Sequence, residues 1–311
     1  MKHITVLKKE AVEALALQSN SIVVDATYGA GGHASEICKF LSKEGTFIGI
    51  DADETSLKDS ALLKAKSGPK LHLVNDNFAN LEEILSSLHI NEVDAVLADL
   101  GWRTDQFTDG GKGFSFSSDE PLLMTYGEPN DYLFTAHDIV NSWKEEDIAN
   151  VLYGYGEERY SRRIAKAIVE NRKSESIETA SALAGIIESA VPHFYRKGKT
   201  HPATKSFQAL RIAVNDELSK LESFIDTTVA HLAQNGTLAI ISFHSIEDRI
   251  VKLKFRELAS TDEFEILTKK PLTASDEELL ANPRSRSAKL RVLRKKDNTF
   301  EDYEHESNKQ I

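Results

Sequence analysis

The sequence contains few of the features that mark secreted or membrane proteins. Among its 311 residues Cys38 is the single cysteine, so no internal disulfide can form and a reducing compartment is expected. It has no apolar run of about 18 residues, the length that a membrane-spanning helix needs. The opening stretch MKHITVLKKE has no apolar core of signal-peptide length. We therefore expect a soluble, cytoplasmic protein with no membrane partner.

Positive charges are outnumbered by negative ones. The chain has 38 Lys and Arg residues against 49 Asp and Glu residues, which gives a formal net charge of −11 and a pI of about 5.5. This balance argues against a non-specific nucleic-acid binder, a class that is usually basic overall, although it leaves room for local basic patches. The hydrophobic fraction of 41% is enough to bury a substantial core.

Apolar runs alternate with helical patterns over the first hundred residues. The runs end in glycine or in acidic residues, and the segments between them have the length and polarity of single helices. This alternation predicts βαβ units and a parallel sheet, which three later runs would extend to seven strands. The seven predicted strands are 21–27, 46–53, 71–78, 93–101, 237–245, 264–270 and 288–295.

The alternation stops after the fourth predicted strand. Residues 102–127 have no clear period, which is typical of a long functional loop, and only helical patterns follow up to residue 199. We therefore expect a discontinuous α/β domain, formed by 1–127 and 200–311, and an all-helical insertion domain at 128–199. Ser142 and Glu145 predict a capping box, and the apolar spacing after Pro202 predicts one long helix.

The stretch DATYGAGGHASE indicates a nucleotide site. A glycine-rich turn between a strand and a helix brings main chain close to a ligand, but the third spaced glycine of the dinucleotide pattern is absent. Asp25, four residues before Gly29, suits a ligand with a positively charged amino-acid end. S-adenosylmethionine is therefore favoured over the alternative, a nicotinamide cofactor of a dehydrogenase. Asp51 suits ribose hydroxyls, and Phe78 could pack on adenine.

Asp99 lies near the end of the fourth predicted strand and could accept a hydrogen bond from a reactive amine. Four aromatic residues follow it at Trp102, Phe107, Phe114 and Phe116. Aromatic side chains near such a site could stack on an extruded base, or they could simply anchor the loop on the core. Both interpretations stay open for this loop.

Basic residues cluster in two parts of this acidic chain. Two interpretations stay open: these residues contact nucleic-acid phosphates, or they form solvent-exposed faces of their helices and strands. His244, after the fifth predicted strand, could face a substrate, while Ser245 and Asp248 match a helix cap. We predict no metal site, because His33, His244 and Glu247 lack a compact ligand spacing. The clustered residues are Arg159, Arg162, Arg163, Lys166, Arg196, Lys197 and Lys199, then Arg284, Arg286, Lys289, Arg291, Arg294, Lys295 and Lys296.

Seven ordered blocks of the sequence resemble the bacterial 16S rRNA (cytosine-N4)-methyltransferase family, also called MraW. The resemblance runs from His3 to about Arg294. The blocks are HITVLKKEAVEAL, DATYGAGGH, DLG…DQF…GKGFSF, YGEERYSRRIAKAIV, HPATKSFQALRIAVNDEL, ISFHSIEDRIVK and NPRSRSAKLR.

The resemblance implies a class I, Rossmann-like methyltransferase sheet with S-adenosyl-L-methionine as methyl donor. The implied substrate is the N4 amine of a decoding-region cytidine, within 16S rRNA of the small ribosomal subunit. A homodimer is left open. Asp99 is our candidate catalytic residue. The implied cofactor-binding residues are Gly31, Gly32, His33, Asp51, Phe78, Asp99 and Gln106.

Two segments depart from the family pattern. The family usually has Val-Ser-Ser after DLG, where this chain has Trp102-Arg103-Thr104, and Leu-Asp-Met-Arg-Met after a proline, where this chain has Leu122-Leu123-Met124-Thr125-Tyr126. An acid and a base are therefore missing from the loop. This keeps two alternatives open, a methyltransferase that acts on another RNA or on protein, and an S-adenosylmethionine-binding assembly factor with lost or redirected catalysis.

Overall fold

The computed structural model describes residues 4–58, 68–100 and 111–297. Within them, seven strands form one sheet in the order β3-β2-β1-β4-β5-β7-β6. Neighbouring strands are parallel except at β7, which is antiparallel to β5 and β6. The predicted mostly parallel, seven-stranded α/β sheet is confirmed. The strands are β1 (Ile22–Asp25), β2 (Thr46–Asp51), β3 (Lys70–Asn75), β4 (Val93–Asp99), β5 (Leu232–Ser242), β6 (Phe264–Ile266) and β7 (Lys289–Lys295).

Helices connect the strands, and several of them lie in succession between β4 and β5. Three short 3-10 turns, Phe78–Asn80, Pro129–Asp131 and Pro283–Ser287, complete the described elements. The helices are α1 (Lys8–Ala14), α2 (Gly32–Phe40), α3 (Glu54–Lys58), α4 (Leu81–Ser87), α5 (Ala136–Ser142), α6 (Glu145–Gly156), α7 (Ser161–Asn171), α8 (Ala180–Ala190), α9 (His193–Arg196), α10 (Thr204–Asn215), α11 (Glu217–His231), α12 (Ser245–Ala259) and α13 (Asp276–Ala281). None of the described helices is long and apolar enough to cross a bilayer.

The central strands are apolar on both faces because each face is covered. Val23 and Phe47 belong to one hydrophobic cluster, and their neighbours Val24 and Ile48 belong to the cluster on the opposite face. All four side chains are fully buried. Continuous apolar runs, rather than alternating ones, are the expected sequence of strands in a parallel sheet covered on both sides.

The chain forms two compact units. The sheet unit consists of 1–101 and 219–311, and the helical unit consists of 102–218. The core of the helical unit includes Leu122 before its helices and Phe207 in α10. Packing therefore extends this unit beyond both ends of the insertion domain expected at 128–199, whose boundaries stay a prediction.

The helix predicted after Pro202 is two helices. Helix α10 ends at Asn215 and α11 begins at Glu217, because Asp216 between them adopts a left-handed conformation with φ of 50°. The Asn215 amide binds main chain at the break, donating to the Met124 carbonyl at 2.7 Å and accepting from the Tyr126 N–H at 3.1 Å. The apolar spacing continues across the break, which is why it predicts a single helix.

The capping box predicted at Ser142 is wrong. Ser142 is the last residue of α5, and α6 begins after Lys144 without a side-chain cap. A capping box lies instead at the start of α5, where the Thr135 hydroxyl and the Asp138 carboxylate each bind the other residue's main-chain N–H. Three acidic residues in the first turn of α6 favour that helix end electrostatically.

Candidate cofactor site at the carboxyl edge of the sheet

Three carboxylates end neighbouring strands of the sheet unit. Asp25 ends β1, Asp51 ends β2 and Asp99 ends β4. Because these strands are parallel and β1 lies between β2 and β4, their carboxyl ends meet at one edge. Ligands of open α/β sheets bind at this edge.

The glycine turn after β1 has no room for side chains. Gly31 has φ of +73°, and a Cβ atom on it would lie 2.7 Å from the Tyr28 hydroxyl. A Cβ atom on Gly32, the first residue of α2, would lie 1.7 Å from Oγ1 of Thr5. The sequence motif therefore corresponds to a tight turn that leads main-chain N–H groups to the edge where the strands end.

Asp25 is an incompletely satisfied buried acid. It is fully buried, its Oδ1 accepts the Thr27 N–H at 3.2 Å, and its Oδ2 has no hydrogen-bond partner among the described residues. Burial raises the pKa of this carboxyl to about 7; the Thr27 N–H opposes the rise and the charge of Asp51 adds to it. A buried carboxylate is costly unless a cation or a donor reaches it, so Oδ2 is suited to a positively charged ligand group.

Asp51 holds the glycine turn against the end of β2. Its Oδ2 accepts the Gly29 N–H at 2.7 Å, and its Oδ1 accepts the Asp53 N–H at 2.8 Å. The main-chain carbonyl of Asp51 accepts the Asn75 side-chain amide at 2.9 Å, which joins the ends of β2 and β3. These bonds hold the Asp51 carboxylate at the carboxyl end of β2, the edge at which the ribose-binding role is expected of it.

His33 links α2 to both the N-terminal segment and the end of β4. Its side chain is buried, with Nε2 at 3.0 Å from the Val6 carbonyl oxygen and Nδ1 at 3.8 Å from Oδ2 of Asp99. Since the carbonyl can only accept, Nε2 carries the hydrogen, and Nδ1 faces the carboxylate. The structure thus brings together His33 and Asp99, two residues that are far apart in sequence.

Thr27 fixes the end of β4. Its hydroxyl oxygen accepts the Asp99 N–H at 2.6 Å, while the Asp99 side chain is 17% exposed. Sequence reasoning did not single out Thr27, or Tyr28 that packs under Gly31. Both lie inside the DATYGAGGH block, which is the signal that could have identified them.

Phe78 follows β3 and begins a 3-10 turn. Its ring packs edge-on against Phe224 with centroids 5.1 Å apart, and the side chain is half-buried. This contact fixes the ring and leaves part of it uncovered, as an adenine-packing role would require. Gln106, Trp102 and Phe107 lie outside the described residues.

The loop aromatics that are described belong to the core of the helical unit. Phe114 stacks on Tyr126 at 5.7 Å between centroids, and Phe116 stacks on His201 at 4.1 Å. Both rings also pack against the core of that unit. Of the two interpretations of Phe114 and Phe116, the contacts favour anchoring the loop over base stacking.

The segment that departs from the family pattern is part of the same packing. Thr125 is fully buried and donates its hydroxyl to the Gly127 carbonyl at 3.0 Å. The Tyr126 hydroxyl donates to Glu217, which also accepts two hydrogen bonds from Arg211 at 2.8 and 2.9 Å. The substituted side chains thus have structural partners in the helical unit.

The cap of α12 lies one residue earlier than predicted. His244 is the cap: its Nδ1 accepts the Glu247 N–H at 3.2 Å, and the Glu247 carboxylate accepts the His244 N–H at 3.3 Å. Ser245 is the first helical residue, so the predicted Ser245–Asp248 cap is wrong. The cap uses Nδ1 of His244, and Nε2 lies 3.0 Å from Oε1 of Glu247. A contact between His244 and a substrate stays a prediction.

Asp248 instead neutralises β7. Its carboxylate accepts the Arg291 Nε–H at 2.7 Å and a Lys289 Nζ–H at 2.9 Å. Burial opposes the charged carboxylate, but the hydrogen bonds and charges of Arg291 and Lys289 prevail and lower the pKa of Asp248. Arg294 is paired with Glu265 in the same way. Much of the basic run on β7 is therefore internal to the sheet unit.

Replacing Asp248 by asparagine is expected to lower the free energy of unfolding by about 3 kcal/mol at pH 7, because Arg291 would stay buried without its counter-charge. A carboxyl whose folded pKa is lowered stabilises above its unfolded pKa, near pH 4, and loses this contribution as the pH falls further. Urea unfolding at pH 7 and pH 3 measures both effects.

The matched control is Asp226→Asn, which removes the more exposed ion pair with Lys254. It should change the free energy of unfolding by less than about 1 kcal/mol. Equal effects of Asp226→Asn and Asp248→Asn on the free energy of unfolding at pH 7 would contradict the structural role of the ion pairs that Asp248 forms with Arg291 and Lys289.

The sheet order and the carboxylate-lined edge define the fold of a class I methyltransferase. The chain belongs to the MraW methylase family, whose model matches residues 1–296.

Curated relatives cover nearly the whole chain. It is 43% identical over 310 residues to a ribosomal RNA small subunit methyltransferase H of Clostridium botulinum, covering 94% of this chain and 99% of that protein. The proteins of the same name from a Wolbachia species and from Clostridioides difficile are 44% identical over 297 residues and 38% identical over 308 residues. These alignments cover 95% and 94% of this chain and 99% and 98% of the two relatives. The family resemblance seen in the seven sequence blocks is confirmed.

Proposed function

We propose that this chain transfers the methyl group of S-adenosylmethionine to the N4 amine of a cytidine in the decoding region of 16S rRNA, within the small ribosomal subunit. The names of its relatives support an rRNA substrate. The observation that carries the cofactor assignment is the buried Oδ2 of Asp25, which lacks a partner among the described residues beside the glycine turn. Because the proposed substrate is part of the ribosome, the enzyme would act in the cytoplasm.

The residues at the sheet edge fit such a cofactor. Asp25 would hold its α-ammonium group, the main chain of Gly31 and Gly32 permits close approach, Asp51 would accept hydrogen bonds from ribose hydroxyls and Phe78 would pack on adenine. When bound, the cofactor supplies an electrophilic methyl group on a sulfonium. No metal enters this proposal.

Asp99 is the proposed amine-holding residue. The lone pair of a cytosine N4 amine is delocalised into the ring, so the rate depends strongly on how the amine is oriented. A carboxylate that accepts a hydrogen bond from one N–H of the amine would direct the lone pair of the amine toward the methyl group. Thr27 fixes the main chain of Asp99, and His33 limits the space beside its carboxylate. The proton leaves after transfer, so a strong general base is not required.

The second candidate is an assembly factor that binds S-adenosylmethionine without catalysis. The sequence departures at Trp102-Arg103-Thr104 and Leu122-Leu123-Met124-Thr125-Tyr126 favour it, because the family's acid and base are missing there. The structural partners of Thr125 and Tyr126 show a packed segment, and packing is compatible with either candidate.

Small ribosomal subunits from a strain that lacks this gene, incubated with labelled S-adenosylmethionine and the protein, test the proposal. The rRNA is then digested to nucleosides and analysed by mass. We expect N4-methylcytidine to appear. Cofactor binding without any transfer would support the assembly factor, and label in a different nucleoside would redirect the target.

A further inference from the structure

An exposed aromatic ring lies beneath an arginine on the helical unit. The guanidinium of Arg159 lies over three rings, at 4.8 Å from the centroid of Tyr160, 4.9 Å from that of Tyr195 and 5.7 Å from that of Phe194. Phe194 is 65% exposed. A cation stacked on an uncovered aromatic ring offers a platform for a flat ligand group, such as a nucleic-acid base.

A buried acid holds this platform in place. Glu158 is fully buried and accepts the Tyr195 hydroxyl at 2.7 Å and the Tyr160 N–H at 2.8 Å. The rings of Tyr160 and Tyr195 also pack edge-on at 5.0 Å. Burial and Glu158 together raise the pKa of Tyr195, which therefore stays a hydrogen-bond donor. Helix α9 is thus fixed to the turn between α6 and α7, and Phe194 is presented by a rigid support.

The surroundings of the platform are strongly basic. Residues 159–166 and 193–199 contain seven Lys and Arg residues and no Asp or Glu, in a chain whose net charge is −11. Arg162, Arg163, Arg196 and Lys197 are all exposed. We call these four residues, with Arg159 and Phe194, the Arg159 surface.

Three basic residues of β7 are neutralised within the sheet unit, unlike those of the Arg159 surface. On β7, Lys289 and Arg291 pair with Asp248, and Arg294 pairs with Glu265. In the described part of the chain, no carboxylate lies within ion-pair distance of Arg162, Arg163, Arg196 or Lys197. The positive charge of the Arg159 surface is therefore available to an external anion.

We propose that the Arg159 surface binds RNA. Its arginines and lysine would contact phosphates, and Phe194 would stack on an unpaired base, which is the usual combination for single-stranded or looped RNA. The identity of that RNA as 16S rRNA rests on the proposed function. An acidic protein would use the same cations but would gain little from an exposed flat ring, which is why the structure favours RNA.

The test uses the full chain, a 16S rRNA transcript and purified small subunits. Arg162→Glu with Arg196→Glu should weaken transcript binding at least tenfold at low salt, in filter-binding assays from 50 to 200 mM salt. The slope of log affinity against log salt should become shallower by about 1.4, since about 0.7 counterions are released per single-strand phosphate contact. Phe194→Ala should weaken binding about tenfold at every salt concentration, because a stacking contact is not a charge contact.

The matched control is Lys43→Glu with Lys173→Glu, which makes the same change in net charge at two exposed lysines outside this surface. It should leave the salt slope unchanged, and all variants should keep the wild-type affinity for S-adenosylmethionine. Unchanged transcript binding by both Arg159-surface variants, while the wild type methylates subunits, would overturn this proposal alone. Weakened binding to subunits but not to the transcript would assign the surface to a ribosomal protein and would also overturn it. A wild type that binds the transcript through this surface yet methylates nothing would refute the proposed function and leave the surface standing.

Discussion

Asp99→Ala is expected to lower kcat for subunit methylation by about 10²–10³-fold, the usual loss when one positioned polar contact to the reacting group is removed. The affinity for S-adenosylmethionine should stay within a few-fold of the wild type, because the proposed contact is with the substrate amine. Single-turnover methylation of unmodified small subunits gives the rate, and calorimetric titration with the cofactor gives the affinity. Asp99→Asn should fall between the wild type and alanine, since its amide oxygen still accepts a hydrogen bond but has no charge.

The control for Asp99 is Asp226→Ala, which removes an exposed carboxylate on α11 and should leave kcat unchanged. Thermal unfolding of Asp99→Ala has to show an intact fold, because the Asp99 side chain lies near the buried His33. A variant with full activity would refute the role. A variant that loses cofactor affinity and keeps its rate at saturation would make Asp99 a cofactor contact, as the family resemblance also implies.

The carboxyl edge of the sheet was predictable because its signals are local in sequence. Each of β1, β2 and β4 is an apolar run that ends in aspartate, and parallel pairing brings such ends together without further information. The glycine block likewise specifies its own turn, because glycine at position 31 itself permits the left-handed conformation that the turn requires. Asp25, Asp51 and Asp99 could therefore be assigned to one site from the sequence.

The state of each carboxylate was not predictable, because it depends on distant partners. The sequence indicates Asp51 as a ribose ligand, but it does not show that Gly29 and Asp53 already donate to its carboxylate. The sequence predicts Asp248 to be part of a helix cap. In the fold its carboxylate instead binds Arg291, which is 43 positions away. The same contact converts part of a basic run into internal ion pairs, and this could not be seen without the antiparallel pairing of β7.

Two predictions of helix ends were wrong for a related reason. The apolar spacing continues from α10 into α11, but Asp216 turns left-handed where the Asn215 side chain binds Met124 and Tyr126. That hydrogen bonding joins residues about 90 positions apart and leaves no mark on the local pattern. The Ser142 prediction failed because α5 continues through Ser142, so the residue is not free to act as a cap.

Asp25→Asn is expected to weaken binding of S-adenosylmethionine and to stabilise the ligand-free protein at neutral pH. The folded pKa of Asp25 is about 7, against an ordinary value of 3.8. As the pH rises from 5 to 7, the unfolded chain is ionised at this group and the folded chain is not, so the wild type loses stability by about 1.4 kcal/mol per pH unit. The free energy of unfolding of the variant, relative to wild type, should therefore rise by about 3 kcal/mol between pH 5 and pH 8. Urea unfolding of the ligand-free proteins measures this difference.

The same group should make cofactor binding depend on pH. If Asp25 must ionise to hold the α-ammonium group, the Kd of the wild type should fall close to tenfold between pH 6 and pH 7.5, because the ionised fraction rises through the pKa of about 7. Asp25→Asn should bind weakly and with a flat profile over this range. Titration calorimetry in buffers of different ionisation enthalpy should also show proton release on binding to the wild type near pH 7.

Asp53→Asn is the matched control, since Asp53 lies near the same edge but is half-exposed and caps its own turn through Thr55 and Ser56. It should show neither the stability gain nor the loss of the pH-dependent affinity. A wild-type Kd that is constant from pH 6 to pH 7.5 would separate Asp25 from the ammonium group, even if the stability change appeared. If the stability change failed and the pH-dependent affinity appeared, the proton released on binding would come from another group. The proposal requires both results in the same pH window. The stability change would show that the buried Asp25 carboxyl destabilises the ligand-free protein, and the pH-dependent Kd would show that the same carboxyl contacts the ligand.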